Sequence, residues 1–180
     1  MKKLAIMTAF VLLGGGALAE TPSEKIGVNS ALGIAPTTQD FVTEAASAGQ
    51  FEIQSSQLAQ DRDPDPATKS FAQQMIADHQ KIGAELKDLV KSKNIKVTIP
   101  DAMGSSDQSM LDSLKSVNGA DFDKQYRDDQ YSGHKNVVNL FQRYARGGDN
   151  PDLQQWAQKT TPILEHHLEM SRSLDKQASE

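Results

Sequence analysis

Hydrophobic residues recur at three- and four-residue steps along four long stretches of the chain, which is the period of one face of an α-helix. This pattern predicts helices over about residues 39–59, 66–93, 120–146 and 151–174. Residues that commonly flank helices stand at these boundaries, namely Thr37 or Thr38, Asp65-Pro66, Gly147 and Asn150-Pro151. The chain therefore contains four long amphipathic helices with definite ends.

The second and third long helices are separated by a longer connection than the others. Pro100 and Gly104 interrupt any regular period there, and Ser105 or Ser106 can cap a short helix over residues 107–117. Short turns within each pair and one long connection between pairs are typical of a four-helix bundle. The sequence predicts an all-α, ferritin-like four-helix bundle with a long crossover that contains a short extra helix.

The N-terminus has the composition of an export signal. Lys2 and Lys3 precede an apolar run over residues 4–13, and Ala17-Leu18-Ala19 supplies a small-residue cleavage site. We predict a signal peptide over residues 1–19, a flexible leader over 20–36 and the bundle domain over 37–176. The expected location is the periplasm, where association with the outer membrane is compatible with the sequence.

Composition narrows the possible partners and chemistry. The formal net charge is −5, which argues against nucleic-acid binding through bulk charge. No run after the signal approaches the length that a membrane span requires. The absence of cysteine excludes disulfides and thiolate metal ligands.

Three of the chain's four histidines lie on apolar faces near the midpoints of predicted long helices. They are His79, His134 and either His166 or His167, and His166 is the one expected to face outward. Glu52 has the same kind of position on the first long helix. Helix bundles build metal sites from side chains that project inward at one level. The sequence therefore predicts a metal site of Glu52, His79, His134 and His167.

Four stretches, in order and spacing, resemble a known family: "FVTEAASAGQFEIQSSQLA", "FAQQMIADHQ", "FDKQYRDDQYSGHKNVVNLF" and "WAQKTTPILEHHLEM". Over about residues 40–174 the chain is similar to the exported bacterial ferritin-like proteins catalogued as domain of unknown function 4142. The resemblance implies a ferritin-like fold; members are often named outer-membrane proteins without an established activity. The family positions that it carries over are Glu52, Asp78, His79, Phe122, Asp123, His134, His167 and Leu168.

The chain departs from the di-iron members of the wider ferritin-like group, which use Glu-x-x-His on two helices. The residues three positions before the four histidines are Ile76, Tyr131, Ile163 and Leu164. A set of imidazoles with one carboxylate suits zinc or copper better than iron held by bridging carboxylates. Met75 and Met170 each lie one turn from a histidine. They are either thioether donors for copper or residues of the apolar core.

Two other interpretations compete with metal binding. In the first, Glu52, Tyr126 and the histidines form a buried hydrogen-bonded network in a metal-free envelope-stress or partner-binding scaffold. In the second, the bundle is a metal-dependent redox enzyme. The sequence has no nucleophile elbow, phosphate-binding loop, His-Glu-x-x-His or dinucleotide fingerprint, and so does not itself indicate an enzyme.

Overall fold

The computed structural model of the protein describes residue 30 and residues 32–62 and 65–177. Five helices account for most of them: α1 (Thr38–Arg62), α2 (Pro66–Ser92), α3 (Ser105–Ser116), α4 (Gly119–Gly147) and α5 (Pro151–Gln177). No strand occurs within the described residues. The predicted all-α architecture is confirmed, with each long helix within a few residues of its predicted bounds.

Side-chain caps explain where three of the long helices begin. The backbone N–H of Asp40 donates to Thr37 Oγ1 over 3.2 Å at the start of α1. Asp65 Oδ2 accepts from the N–H of Thr68 over 2.9 Å at the start of α2. The N–H of Leu153 donates to Asn150 Oδ1 over 3.0 Å at the start of α5. These bonds satisfy N–H groups that have no partner inside the helix.

Two helix ends differ from the prediction. Helix α3 begins at Ser105, with Gly104 at the N-cap and no capping side chain. Instead, the N–H of Gly104 donates to Ser47 Oγ of α1 over 2.7 Å, so a tertiary contact fixes this end. Helix α4 continues through Gly147, and the N–H of Gly148 returns to the carbonyl of Tyr144 over 2.7 Å.

The four long helices form a bundle in which neighbouring helices run antiparallel. Between α1 and α4, Phe41 stacks on Tyr144 near one end and Ser56 bonds to Tyr126 towards the other. Between α2 and α5, an ion pair joins Lys93 to Asp152, whereas Asp78 meets His167. In both pairs, higher numbers on one helix meet lower numbers on the other. Helices α2 and α4 are therefore parallel, and the chain between them has to return along the bundle.

The connection from α2 to α4 packs along α1 as it returns. The Gln39 amide exchanges two hydrogen bonds with the backbone of Thr98, at 2.8 and 2.9 Å. Gln50 Nε2 donates to the carbonyl of Pro100 over 3.2 Å. Helix α3 then buries Leu111 and Leu114. This is the predicted crossover with its short extra helix; the ferritin-like assignment goes further than the helical architecture and stays a prediction.

Two apolar cores fill the bundle at different heights. The aromatic core, as we call the cluster at one end, is built around Phe41, Phe141, Tyr144, Leu153 and Trp156. The second core contains Ala59, Phe71, Ala72, Met75, Leu114, Phe122, Tyr126 and Leu174. On α5, Leu164 is 1% exposed and packs with the aromatic core, whereas the adjacent Ile163 is 40% exposed.

Helix α5 contains Pro162 in its interior. Proline has no N–H to donate to the carbonyl four residues earlier, so the backbone ladder lacks one bond there. The hydroxyl groups of Thr160 and Thr161 donate to the carbonyls of Trp156 and Ala157, over 2.9 and 2.7 Å. The local hydrogen bonding of this turn is therefore unlike that of the rest of the helix.

The predicted signal peptide, and residues 20–29 and 31 of the predicted leader, lie outside the described residues. Of the remaining leader, Ser30 Oγ donates to Asn139 Oδ1 over 2.9 Å, and Arg143 Nη1 donates to the carbonyl of Ile34 over 2.6 Å. These contacts place this part of the leader against α4. None of the described helices combines the length and the apolar character needed to cross a bilayer.

Candidate metal centre

Three imidazole rings meet between the two cores. His79 of α2, His134 of α4 and His167 of α5 are all buried, at 3%, 1% and 0% exposure. Their ring centroids are separated by 5.3, 5.4 and 5.6 Å. The antiparallel pairing of α2 with α5, and the parallel course of α2 and α4, bring these helix positions to one height. The bundle therefore gathers the three predicted histidines in one place.

The nitrogens of these rings are close enough to share one ion. One ligand atom from each histidine can be chosen so that all three lie within 4.8 Å of one another. The Nε2 atoms of His79 and His134 are 3.4 Å apart. This separation is long for a nitrogen hydrogen bond, which is usually about 2.7 to 3.2 Å. It suits two ligands of one tetrahedral ion, since zinc–nitrogen bonds of about 2.0 to 2.1 Å place the nitrogens about 3.3 to 3.4 Å apart.

The outer nitrogens of two of the rings are anchored. His134 Nδ1 lies 2.8 Å from the carbonyl oxygen of Gln130, and since a carbonyl only accepts, Nδ1 must carry the proton. In the neutral ring, Nε2 is then a free lone pair facing His79. His167 Nε2 lies 2.8 Å from Asp78 Oδ2, whereas its Nδ1 is buried and has no partner within the described part of the chain. Metal-binding histidines usually show this arrangement, with the far N–H held by a carbonyl or carboxylate.

Burial sets the charge of the site. Desolvation, followed by the nearby His134 and His167, holds the pKa of His79 well below its ordinary value. Desolvation also lowers the pKa of His167, although the hydrogen bond to Asp78 acts in the opposite direction. Partial burial of Asp78 raises its pKa, but hydrogen bonds from Gln74 and His167 outweigh this and leave it lowered. Near neutral pH, His79 and His167 are therefore uncharged imidazoles beside an ionised carboxylate, the state in which imidazole binds metals.

Glu52 lies beside His134, on the opposite side of that ring from His79. Its Oε1 atom is 3.8 Å from His134 Nδ1, the nitrogen already bonded to Gln130. A Cβ atom added at Gly133 would lie 3.2 Å from Glu52 Oε1, so the glycine leaves room for the carboxyl group. Burial raises the pKa of Glu52, against the lowering effect of His134. Glu52 is thus inside the bundle at the predicted height, but is not among the three residues whose ligand atoms converge.

A family model described as "Domain of unknown function (DUF4142)" matches residues 23–174. The chain belongs to this family. No curated protein and no solved structure matches it. Membership of DUF4142 confirms the resemblance found in the sequence, and it places the three histidines inside the family's domain without assigning them a function.

Two residues of this DUF4142 chain that orient the histidines were missed or undervalued in the sequence analysis. Asp78 was named there only as a position carried over from the family, yet it holds His167 across the α2–α5 interface. Gln130 was not considered, and its backbone oxygen orients His134 from one turn earlier. Asp78 belongs to the family's Asp-His pair, which was the one available signal. His166 is exposed, as expected from its position beside His167.

The observed hydrogen bonds differ from the buried network that the sequence analysis offered as an alternative. Tyr126, a proposed member of that network, bonds to Ser56 over 2.9 Å and packs in the second core. Buried atoms without a hydrogen-bond partner in the described chain include Glu52 Oε2, Gln130 Oε1 and His167 Nδ1. Met75 is fully buried in the second core, which accords with the core interpretation of that residue. The polar groups around the histidines therefore do not satisfy one another completely.

Proposed function

We propose that this protein binds one divalent metal ion, zinc or copper, through His79, His134 and His167. The observation that carries this proposal is the 3.4 Å distance between the Nε2 atoms of His79 and His134. At that distance the two rings form at most a long hydrogen bond, whereas a single ion can bind both nitrogens. His167 Nδ1, buried and unpartnered within the described chain, supplies the third donor.

The surroundings support a metal with imidazole ligands. Asp78 fixes His167 and the Gln130 carbonyl fixes His134, so both rings present their unprotonated nitrogens to the centre. Three neutral imidazoles suit zinc and copper, whereas magnesium and calcium prefer oxygen ligands. Three protein ligands also leave one position of a tetrahedral ion open. In this proposal Glu52 is a neighbour that influences His134 rather than a fourth ligand.

A ligand that binds only the folded state stabilises it, and this gives a direct test. At a zinc or copper concentration about a hundred times the dissociation constant, the fold should gain about 2.7 kcal/mol. The measurement is the melting temperature of the protein in chelator and in metal. His79→Gln, which keeps a polar side chain but is a poor ligand, should remove the metal-induced rise.

The exposed neighbour of the site provides a matched control. His166→Gln changes a histidine next to His167 in the chain, and it should keep the full metal-induced rise. If the histidines instead form a metal-free network, metal leaves the melting temperature unchanged and His79→Gln destabilises the protein in chelator. Elemental analysis of protein purified without an affinity tag then identifies the bound metal.

We also propose that the protein is exported to the periplasm and works there. The support is the N-terminal sequence, with Lys2 and Lys3 before an apolar run and Ala19 at the cleavage site. Intact mass of the protein from a periplasmic extract should correspond to a chain that begins at Glu20. A mass that includes Met1 would contradict cleavage.

A further inference from the structure

A cavity of about 380 Å³ lies along the groove between α1 and α2. Its walls include Gly49, Ile53, His79, Gly83, Pro100 and Trp156. Small-molecule sites in proteins usually measure about 300 to 1,000 Å³, so this cavity has the volume of a ligand site. Pro100 belongs to the crossover, whose backbone is held to α1 by Gln50.

Two glycines in helix interiors keep this cavity open. Gly49 lies in α1 and Gly83 in α2, where glycine destabilises a helix relative to alanine. A Cβ atom added at either position would meet no heavy atom within 4 Å. Close packing therefore does not require glycine here, in contrast to Gly133, where a Cβ atom would meet Glu52. The two glycines leave empty space where larger side chains would fit.

The cavity reaches the candidate metal centre at His79. This histidine is the one member of the triad that contributes to the cavity wall, and it stands one helical turn before Gly83. A molecule in the cavity would thus touch a ring whose Nε2 atom faces the centre. The open position of a three-histidine metal is the natural place for an additional ligand.

Trp156 indicates the chemistry of a suitable ligand. Its ring forms part of the wall, it is 8% exposed, and its buried Nε1–H has no acceptor within the described part of the chain. Buried indole N–H groups normally have an acceptor. Most of the remaining wall is carbon, including Ile53 and Ile82. The cavity therefore suits a mainly apolar molecule with at least one acceptor atom.

We infer that this cavity binds a small, mainly apolar organic molecule with at least one acceptor atom, and that a nitrogen or oxygen atom of this molecule takes the open position of the metal. The second half of the inference rests on the proposed metal site, whereas binding in the cavity does not. The two halves can be measured separately, because the cavity has its own spectroscopic reporter.

Trp156 is the only tryptophan of the chain, so tryptophan fluorescence comes from a residue of the cavity wall. The probe is 4-phenylimidazole, which joins an apolar ring to a nitrogen donor. We expect it to change Trp156 emission in a saturable way in metal-free protein and in Gly83→Ala. In Gly83→Phe the added ring fills the cavity, and the affinity should fall at least about tenfold. Circular dichroism and melting temperature establish that each variant is folded, and Gly49→Leu replaces Gly83→Phe if the latter does not fold.

Metal is then added to distinguish binding in the cavity from contact with the metal. Zinc loading should tighten 4-phenylimidazole binding at least about fivefold, and the visible spectrum of cobalt-loaded protein should change on addition of the probe. If the change in Trp156 fluorescence did not depend on bound metal, contact between the probe and the metal would be ruled out. The cavity would remain a ligand site. If the protein binds neither added zinc nor added cobalt but still responds to the probe, the proposed function is overturned and the cavity remains a ligand site. No response in the unmodified protein, or equal binding in Gly83→Phe, would overturn the cavity as a ligand site.

Discussion

The aromatic core and the neighbouring histidine layer, formed by Glu52, His79, Gln130, His134 and His167, are built on different principles. In the aromatic core, Phe41 stacks on Tyr144 with ring centroids 3.9 Å apart and meets the edge of Phe141 at 5.0 Å. In the histidine layer the Nε2 atoms of His79 and His134 are 3.4 Å apart, which is long for a hydrogen bond. Among the described residues, the aromatic core leaves one buried polar atom without a partner, Trp156 Nε1, whereas the histidine layer leaves three.

The difference indicates that the aromatic core contributes more to stability than the histidine layer does. Buried polar atoms without a partner in the described chain include three in the histidine layer, on Glu52, Gln130 and His167. Each such atom destabilises the fold by about 1 to 3 kcal/mol relative to a hydrogen-bonded one. An apolar layer would avoid this cost. The bundle tolerates the layer because strong packing lies on both sides of it.

The largest effect is expected from the aromatic core. Phe41→Ala removes a fully buried ring and should lower the free energy of unfolding by about 3 to 5 kcal/mol. Because Phe41 lies away from the histidines, zinc should still raise the stability of the folded variant. Urea unfolding with zinc and with chelator measures both quantities. Loss of the zinc effect in the folded variant would show that the two regions are not separate.

Asp78→Asn, in contrast, should weaken metal binding rather than destabilise the fold. Without the carboxylate, His167 loses the partner that fixes its ring, and metal affinity should fall about 10- to 100-fold, or about 1.4 to 2.7 kcal/mol. Isothermal titration calorimetry against zinc measures the change. Asp88→Asn, on the exposed face of the same helix, is the matched control. Equal affinities of the two variants would contradict the role of Asp78.

Acidification should destabilise the metal-free protein through the histidine layer. The pKa values of His79 and His167 are held below the ordinary 6.5, mainly by burial. Below pH 6.5 the unfolded chain therefore takes up protons that the folded chain does not. Stability should decrease as pH falls, by up to about 1.4 kcal/mol per pH unit for each histidine.

Glu44 opposes this decrease. Burial raises its pKa from 4.5 to about 7, so it contributes stability at low pH that is lost as pH rises through about 7. Glu44→Gln should consequently steepen the loss of stability on acidification, and His79→Gln should make it shallower. Chemical unfolding of the three proteins across this range provides the comparison. If the stability of Glu44→Gln followed pH between 4.5 and about 7 in the same way as that of the unmodified protein, the assignment would be contradicted.

The smallest effect is expected from the second core. Tyr126→Phe removes the buried hydrogen bond to Ser56 and should cost about 0.5 to 1.5 kcal/mol. It should leave zinc affinity unchanged, since the hydroxyl bonds to Ser56 of α1 and Tyr126 packs in the second core. Calorimetric titration of the variant would separate the two interpretations of the layer. A clear loss of zinc affinity would place Tyr126 in one network with the metal ligands.

Local chemistry explains why the fold was predictable from the sequence. Asp65 and Asn150 cap helices through bonds to residues three positions later, and such contacts are visible in the sequence itself. Periodicity likewise placed His79 and His134 on buried faces. The start of α3 was missed because Gly104 is held by Ser47, a partner far away in the sequence.

The details of the site depend on contacts between helices that no local pattern encodes. Asp78 adjoins His79 in the chain but serves His167 on another helix. Glu52 was predicted at the correct height, yet the side of His134 on which its carboxyl group lies depends on the space at Gly133. Ile163 and Leu164 both fit a helical period from Thr160, and only packing distinguishes them.

We expect Pro162 to influence how often α5 opens locally beside the histidine layer. It leaves α5 with one weak turn between the stretch that carries Trp156 and the stretch that carries His167. Parts of a protein can open locally at a lower free energy than global unfolding requires. We expect the stretch after Pro162 to open most often, so that this motion sets how long an ion remains bound. Amide hydrogen exchange should be faster in residues 163–174 than in α4 and slower once zinc is bound, while the aromatic core stays closed.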